Sequence, residues 1–470
     1  ILKDLGSFQM HPTLIKFLFL VKASLIVCLV NGQSTSKPNI IVYLADDMGY
    51  LDASVYGAKV VQTPVLERLS FEGMTFKNAF VTSPACAPSR ASLLTGLMPA
   101  RNGAETNHSF PAKDVPYLIQ NFKKSGYKVF AFGKVAHYKG NKKCGFDHHN
   151  DQQINLYQNI KAYFDTIAIT SPVVLFIGDR RPHVRWTEEL FYAPEQVDLP
   201  SYFIDTKPTR EHRSRYYTDI TGLDSEMGHV LHYLNGKFGE NTITLFTSDH
   251  GAQWPFGKWN LYDAGIRTPL VIRWPGKIAP NTSTDAMVSW IDILPTLLDL
   301  ANLEAADSLD GKSFKSILFE EEDQFRTIIY TTHTGDGKFN IYPIRSIRTD
   351  EYKLIYNLEP NAYHSNHSDI NRKDGAGKYW DSWNEEESKD PRAAYIIRKY
   401  YQRPDWEFYD LRVDQEEQQN LIDEPSYQEV IAELKTQLKQ WMKDHNDDGK
   451  THLKPYPLSG KRPDLSFIKK

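Results

Sequence analysis

Cysteine is scarce. The 470-residue chain has three, Cys28, Cys86 and Cys144, which excludes a small disulfide-stapled scaffold. A chain of this length can bury a core large enough to stand without crosslinks. An excess of charge of one sign is missing too. Lysine and arginine number 55 against 59 acidic residues, a net −4. Nucleic acid is therefore not an expected partner, and a polyanionic ligand must be met by a local basic cluster. No internal repeat stands out, and no long low-complexity linker divides the chain. The long apolar run is confined to residues 17–30, where Lys22 interrupts it and leaves it short for a bilayer span.

Residues 10–32 read instead as a secretory signal. Lys16 precedes the apolar stretch, and Val30 and Gly32 are small enough for cleavage before Gln33. Met10 is then the start, with residues 1–9 upstream. A lipid-anchored Cys28 is disfavoured by the size of Val27 before it. The expectation is an exported protein without a stable membrane anchor, keeping Cys86 and Cys144. Two cysteines in such a chain ordinarily invite one disulfide.

Apolar runs at residues 39–44, 129–132, 172–177, 243–246 and 269–272 predict buried strands. Helical patterns at 117–124, 213–234 and 290–300 lie between or after them. The alternation predicts an α/β fold, a mostly parallel central sheet sandwiched by helices. After about Asp307 the character changes. Short β-like pieces at 342–348 and 352–356 lead into a polar, aromatic-rich stretch at 366–403 and an amphipathic helix at 427–442. These pieces predict a smaller C-terminal α+β subdomain. The domains are expected at 33–335 and 336–470, after the upstream residues and signal at 1–32.

The densest pattern runs from Cys86 through Ala87-Pro88-Ser89-Arg90 to Leu94-Thr95-Gly96. Pro88 suits a first helical turn, where its missing N–H costs nothing, and Gly96 is a natural stop. Position 86 then falls just ahead of a helix N-terminus, whose free N–H groups favour an anion, and Arg90 adds a fixed positive charge. A buried structural cysteine beside a cap is the plain alternative. Asp46-Asp47 follow the first strand, and Asp249-His250 follow the strand at 243–246. In a parallel sheet both pairs emerge at the carboxyl edge. Three converging carboxylates need a cation between them, and oxygen-rich ligation suits calcium or magnesium. A strand-to-loop turn is the plain reading of Asp46-Asp47 alone. Lys134 and His137 follow the strand at 129–132, Arg180, Arg181, His183 and Arg185 follow the one at 172–177, and Lys258 comes soon after His250. Taken singly these are ordinary surface groups. The arginine loop suits recognition of a second anion or plain solvation equally well.

The form C-x-P-S-R-x-x-x-L-T-G resembles the signature of the type I sulfatases, and the resemblance extends over nearly the whole mature chain. It implies an alkaline phosphatase/sulfatase-like fold, and conversion of Cys86 to formylglycine by a formylglycine-generating enzyme. Cys144 is then left without a disulfide partner. Asp46, Asp47, Asp249, His250 and the modified Cys86 are implied as ligands of Ca2+, with Mg2+ second. His250 departs from the commoner asparagine and is a softer ligand. Cys86, Arg90, Lys134, His137, His183 and Lys258 are implied as catalytic, and Lys134, His183 and Lys258 also as substrate-binding. Arg181 is expected with them from its loop.

The implied substrate is a sulfated carbohydrate bearing an O- or N-linked sulfate, in the periplasm, outside the cell, or in the lysosome of an animal cell. Residues 342–345, 354–358 and 406–411 look most like heparan N-sulfatases. Lys258 replaces their arginine, and the Lys134 to His137 spacing is one residue longer. Bacterial polysaccharide sulfatases, including those acting on ulvan, are similar as well. The rivals are a phosphodiesterase or phosphonate hydrolase of the same superfamily, and a non-catalytic glycan binder stacking sugars on Tyr379, Trp380, Trp383, Tyr400 and Tyr401. Packing between subdomains is an equal reading of those rings. Asn107, Asn281 and Asn366 begin N-x-S/T triplets, relevant in a cell that glycosylates.

Overall fold

Runs of Ile, Val, Leu and Phe with no polar alternation must be covered on both faces, the circumstance of a parallel sheet between helix layers. In the computed structural model, which describes residues 37–306, 308–371, 377–451 and 453–464, these runs do form such a sheet. The expected signal segment and Cys28 lie outside the described residues. Eight strands take part: β1 (Asn39–Ala45), β2 (Met74–Phe80), β3 (Lys128–Gly133), β4 (His148–Asn150), β5 (Val173–Gly178), β6 (Thr242–Ser248), β7 (Arg267–Arg273) and β8 (Thr282–Ser289). Their order is β4-β3-β5-β1-β6-β7-β2-β8. All run in one direction except β7, which is antiparallel to both β6 and β2.

The five strands expected from apolar runs are β1, β3, β5, β6 and β7. The three others lack that signal for physical reasons. β2 carries Thr75, Lys77 and Asn78 among its apolar residues, β8 is an edge strand with a polar first half, and β4 is a short edge piece. The reversal of β7 is likewise silent, because an apolar run has no direction.

The longer helices are α1 (Pro64–Phe71), α2 (Cys86–Thr95), α3 (Ile119–Lys124), α4 (Leu156–Phe164), α5 (Lys207–Phe238), α6 (Ile293–Leu300), α7 (Trp380–Glu387), α8 (Pro391–Tyr401) and α9 (Gln428–Asp444). A second sheet, β9 (Ile329–His333), β10 (Ile344–Arg348), β11 (Tyr352–Asn357) and β12 (Trp406–Asp410), is antiparallel throughout in the order β12-β11-β10-β9. It begins at Ile329, ahead of the boundary expected at 336. Amphipathic α9 lays Ile431, Leu434 and Leu438 on Ile347, Leu354 and Phe408 of this sheet.

The aromatic-rich stretch is core. Tyr379, Trp380, Trp383, Tyr400 and Tyr401 are each at most 1% exposed. Tyr379 packs on Trp254 at 4.8 Å, and Trp383 donates its indole N–H to Thr209 at 2.8 Å, which joins α7 to α5. Rings so enclosed cannot stack on a sugar, so the glycan-binder reading loses its platform. Asn107 and Asn366 are buried, leaving Asn281 as the exposed residue among the three triplets. Among the described residues no helix is long and apolar enough to cross a membrane.

Candidate active site

Four neighbouring strands, β3-β5-β1-β6, end side by side. Gly133 pairs with Gly178, Leu44 with Gly178, and Ala45 with Ser248. The next residues of each chain therefore leave the sheet at one carboxyl edge: Lys134, Asp179, Asp46-Asp47 and Asp249-His250. The ladder continues into them, with Asp249 N donating to Ala45 O at 3.2 Å and Lys134 N to Gly178 O at 2.8 Å. Glycine at 178 lets the chains close up, since a Cβ there would lie 2.0 Å from Lys134 O. Helix α2 brings Cys86 to the same edge as its first residue, one position inside the helix and not ahead of it. Gly96 ends α2 in the left-handed region at φ 69°, as its sequence position suggests.

Around the Cys86 thiol stand three buried carboxylates and three buried cations. Lys134 Nζ is 2.6 and 2.8 Å from the two oxygens of Asp46 and 3.4 Å from Cys86 Sγ. Lys258 Nζ is 2.9 Å from both oxygens of Asp47. Arg90 donates from Nε to Asp249 at 2.9 Å and from Nη2 to Asp46 at 3.3 Å, and also binds the carbonyl of Lys134. Asp249 accepts the N–H of Asp47 at 3.0 Å, so one carboxylate fixes the backbone that presents another. His250 Nε2 lies 3.3 Å from Cys86 Sγ and 3.3 Å from Asp47, with Nδ1 on Gly251 O at 2.8 Å. His183 Nε2 is 3.8 Å from Asp47.

Asp47, Cys86, Asp249 and His250 offer four donor atoms, all within 4.8 Å of one another. Two carboxylate oxygens, an imidazole nitrogen and the Cys86 sulfur make a mixed donor set that can hold a divalent cation. Asp46 stands just outside this group, 3.8 Å from Sγ, its oxygens committed to Lys134 and Arg90.

Burial alone opposes ionisation of these groups, and the neighbours decide the outcome. Lys258, then His183 and His250, hold Asp47 down to about 2 despite burial, and Lys134 holds Asp46 well below the usual carboxylate range. Burial pushes the Cys86 thiol up to about 12, against Lys134 and Lys258. An unmodified thiol here is protonated at neutral pH and is a poor nucleophile. Burial also takes His183 down to about 4 and His137 down to about 2.

Sequence reasoning missed a second set of residues. Ala87 N, in the first turn of α2, donates to Asn107 Oδ1 at 3.1 Å, and Asn107 Nδ2 donates to Asp336 at 2.8 Å. His108 lies between Asp336 at 3.1 Å and His137 at 2.8 Å. No motif marks these positions. The one local hint is the Asn107-His108 pair in a loop rich in turn residues. Backbone strain marks the area, with Asp47, His108, Tyr138 and Trp259 at positive φ.

One expected substrate contact is displaced. Arg181 forks onto Asp179, Nη2 at 2.7 Å and Nε at 3.0 Å, and donates from Nη1 to Gly222 O of α5 at 2.9 Å. Asp179 is buried and also accepts from Tyr43 OH at 3.0 Å. A buried carboxylate left unpaired is costly, and it claims the nearest guanidinium. Arg180 donates within its own loop, to Val184 O at 2.8 Å. The expectation that Arg181 reads a second anion is thereby corrected to a scaffold role. Arg181→Ala is expected to lower unfolding stability by about 2–3 kcal/mol, the worth of a charge-assisted fork. The loss should show in the denaturant midpoint, with kcat/KM on an aryl sulfate and on an anionic oligosaccharide reduced by the same factor. A selective loss on the oligosaccharide would return Arg181 to the substrate.

The sulfatase family model matches residues 38–303, and the model of the N-sulphoglucosamine sulphohydrolase C-terminal region matches residues 250–373. An ulvan-active sulfatase of Formosa agariphila is 29% identical over 432 residues, covering 88% of this chain and 81% of its own. Human N-sulphoglucosamine sulphohydrolase is 27% identical over 490 residues, covering 91% and 94%. The crystal structure of a phosphonate monoester hydrolase of Agrobacterium radiobacter superposes with a TM-score of 0.69 at 18% identity, over 91% of this chain and all of that one. At that identity the likeness speaks for the fold alone, a fold that serves more than one ester chemistry.

Proposed function

Because the chain belongs to the sulfatase family, and is thus a sulfuric ester hydrolase, we propose that it removes sulfate from a sulfated polysaccharide or its oligosaccharides, of the ulvan or glycosaminoglycan class. Residue 86 acts as formylglycine, Ca2+ is the resident ion, and the protein is exported. The observation that carries the reading is Cys86 at the first position of α2, ringed by Asp46, Asp47, Asp249, Arg90, Lys134, Lys258 and His250. A thiol pushed up to about 12 has no use as a thiolate there, whereas an aldehyde hydrate at the same position supplies one hydroxyl to attack sulfur and a second to release it. Export is supported by the signal-like residues 10–32.

Asp46, Asp47, Asp249, His250 and residue 86 would hold the ion, which supplies a positive charge that acidifies the attacking hydroxyl. Arg90 bridges Asp46 and Asp249 and keeps them in register. Lys134 and Lys258 each carry a charge fixed beside residue 86 and stabilise the sulfuryl oxygens as negative charge builds. His183, 3.8 Å from Asp47, would protonate the departing sugar oxygen; burial takes it down to about 4, so it must take up that proton as the sulfate's charge enters the site. His137, kept neutral by burial and by Lys134, has a ring nitrogen free to take the proton that must leave residue 86 before sulfate is freed.

Sulfate release from ulvan, heparan, chondroitin and carrageenan oligosaccharides tests the reading, with an aryl sulfate and an aryl phosphate diester alongside. The expected result is release from at least one of the four, and aryl sulfate turned over at least tenfold faster than the diester. Faster turnover of the diester would favour the phosphoryl-transfer rival.

A further inference from the structure

One ring nitrogen of His137 is committed and the other is not. Its Nε2 lies 2.8 Å from Nδ1 of His108, while its own Nδ1 is buried without a hydrogen-bond partner. Two neutral imidazole nitrogens at that distance share one proton, so one ring donates and the other accepts. The direction is decided on the far side of His108, whose Nε2 is 3.1 Å from Asp336 Oδ1. Asp336 is buried, and its other oxygen accepts from Asn107 at 2.8 Å. Burial disfavours its charge, but the contacts with His108, His367 and Asn107 outweigh it and hold the carboxyl down to about 2. A carboxylate only accepts. A neutral His108 then carries its proton on Nε2, facing Asp336, and presents a lone pair at Nδ1. His137 donates from Nε2 into that lone pair, which leaves its own lone pair on the buried Nδ1.

We propose that Asp336 and His108 are positioning residues that lock His137 in the Nε2–H tautomer, so that its Nδ1 serves residue 86 as the base of sulfate release. The inference deepens the function proposed above and rests on it. In that step Nδ1 accepts the proton of the hydroxyl at position 86 as its oxygen forms the carbonyl. The bond from that carbon to the sulfate oxygen breaks, and its electron pair leaves with sulfate. The orienting logic is that of a carboxylate fixing a histidine tautomer in a hydrolase triad, extended by one imidazole.

The surroundings hold this chain of groups in place. Tyr138 packs against His137 at 4.3 Å and His108 at 5.0 Å between ring centroids, which limits rotation of both rings. His108 and Tyr138 have φ of 68° and 48°, a conformation costing each about 1–3 kcal/mol that packing must sustain. Asn107 ties the carboxylate to the turn of α2 that carries residue 86. Asp336 comes from the turn between β9 and β10, so the smaller sheet completes a site otherwise built on the larger one.

Imidazole 15N NMR on histidine-labelled protein reads the tautomer directly and needs no modification of Cys86. Wild-type His137, assigned by its loss in His137→Gln, is expected to be protonated on Nε2, and Asp336→Asn and His108→Leu should each shift it toward Nδ1–H. On formylglycine-bearing enzyme, His108→Leu should lower kcat by about 10²-fold, the lower end of general-base contributions. It should leave kcat/KM for an aryl sulfate within about threefold, because kcat/KM reports the earlier sulfuryl transfer. His108→Asn, whose Oδ1 can accept in place of Nδ1, should restore most of kcat. Wild-type His137 protonated on Nδ1 overturns the inference even if every variant misfolds. An unmoved tautomer in both variants, or equal falls in kcat and kcat/KM, overturns it as well. Formylglycine content and turnover of the wild type, measured in parallel, keep the two readings apart: their absence sinks the function proposed above, while the NMR still decides the tautomer.

Discussion

Cys86→Ser protein is expected to fold with a denaturant midpoint close to that of the wild type and to release no sulfate above background. The position is buried beside Lys134 and His250, at 3.4 and 3.3 Å from Sγ, so a hydroxyl finds hydrogen-bond partners there and stability changes by no more than about 1 kcal/mol. The catalytic loss is of another order. Serine supplies a single hydroxyl. Attack on sulfur would leave a sulfate ester with no second hydroxyl through which to collapse, and turnover stops after one event. Loss of the nucleophile in hydrolases that act through a covalent step costs about 10⁶-fold, and at least 10⁴-fold is expected here. Mass spectrometry over residues 85–90 of the wild type checks the same claim from the other side. Fully active protein carrying unmodified cysteine would remove the mechanism.

Metal removal should come next in size. Chelator-treated enzyme is expected to lose about 10³-fold in kcat/KM, the several kcal/mol that a Lewis-acidic ion gives a developing charge, and to regain it on adding Ca2+. Far-UV circular dichroism and the unfolding midpoint should hardly move. Arg90, Lys134 and Lys258 already neutralise Asp46, Asp47 and Asp249, so the fold does not depend on the ion for that purpose. Full activity in metal-free enzyme would contradict the ligand set. Asp249→Asn should reproduce the catalytic loss, since its charge is gone; its amide oxygen can still accept the N–H of Asp47, at the cost of turning its NH2 toward Arg90 Nε. Asp249→Ala is a poorer test than the sequence suggests. It strips Arg90 of its 2.9 Å partner and leaves a guanidinium 0% exposed in the site without full pairing, a loss of several kcal/mol.

Legibility followed chemistry that is local in the chain. The turn and helix of residues 86–96 were readable because Pro88 and Gly96 act on their own backbone. Lys134, Asp46 and Asp249 were readable because each directly follows an apolar strand, and a parallel sheet gathers strand ends at one edge. Arg181 was misread because a loop arginine looks the same whether it faces an anion in solvent or a buried aspartate two residues away. Asn107, His108 and Asp336 were not read at all. Their partnership spans 229 residues, and no spacing rule operates over that distance.

By itself, then, the sequence determined the sheet-and-helix class, the strand-end edge at which Asp46, Lys134 and Asp249 emerge, and the helix that begins at Cys86. Each follows from side-chain periodicity or from backbone restrictions of single residues, which act within a turn or a strand. Only the tertiary structure decided the reversal of β7, the burial of Tyr379, Trp380 and Trp383, the capture of Arg181 by Asp179, and the contacts from Asp336 through His108 to His137. These depend on which surfaces meet when the chain closes. Desolvation then compels each buried charge or ring to take the partner within reach.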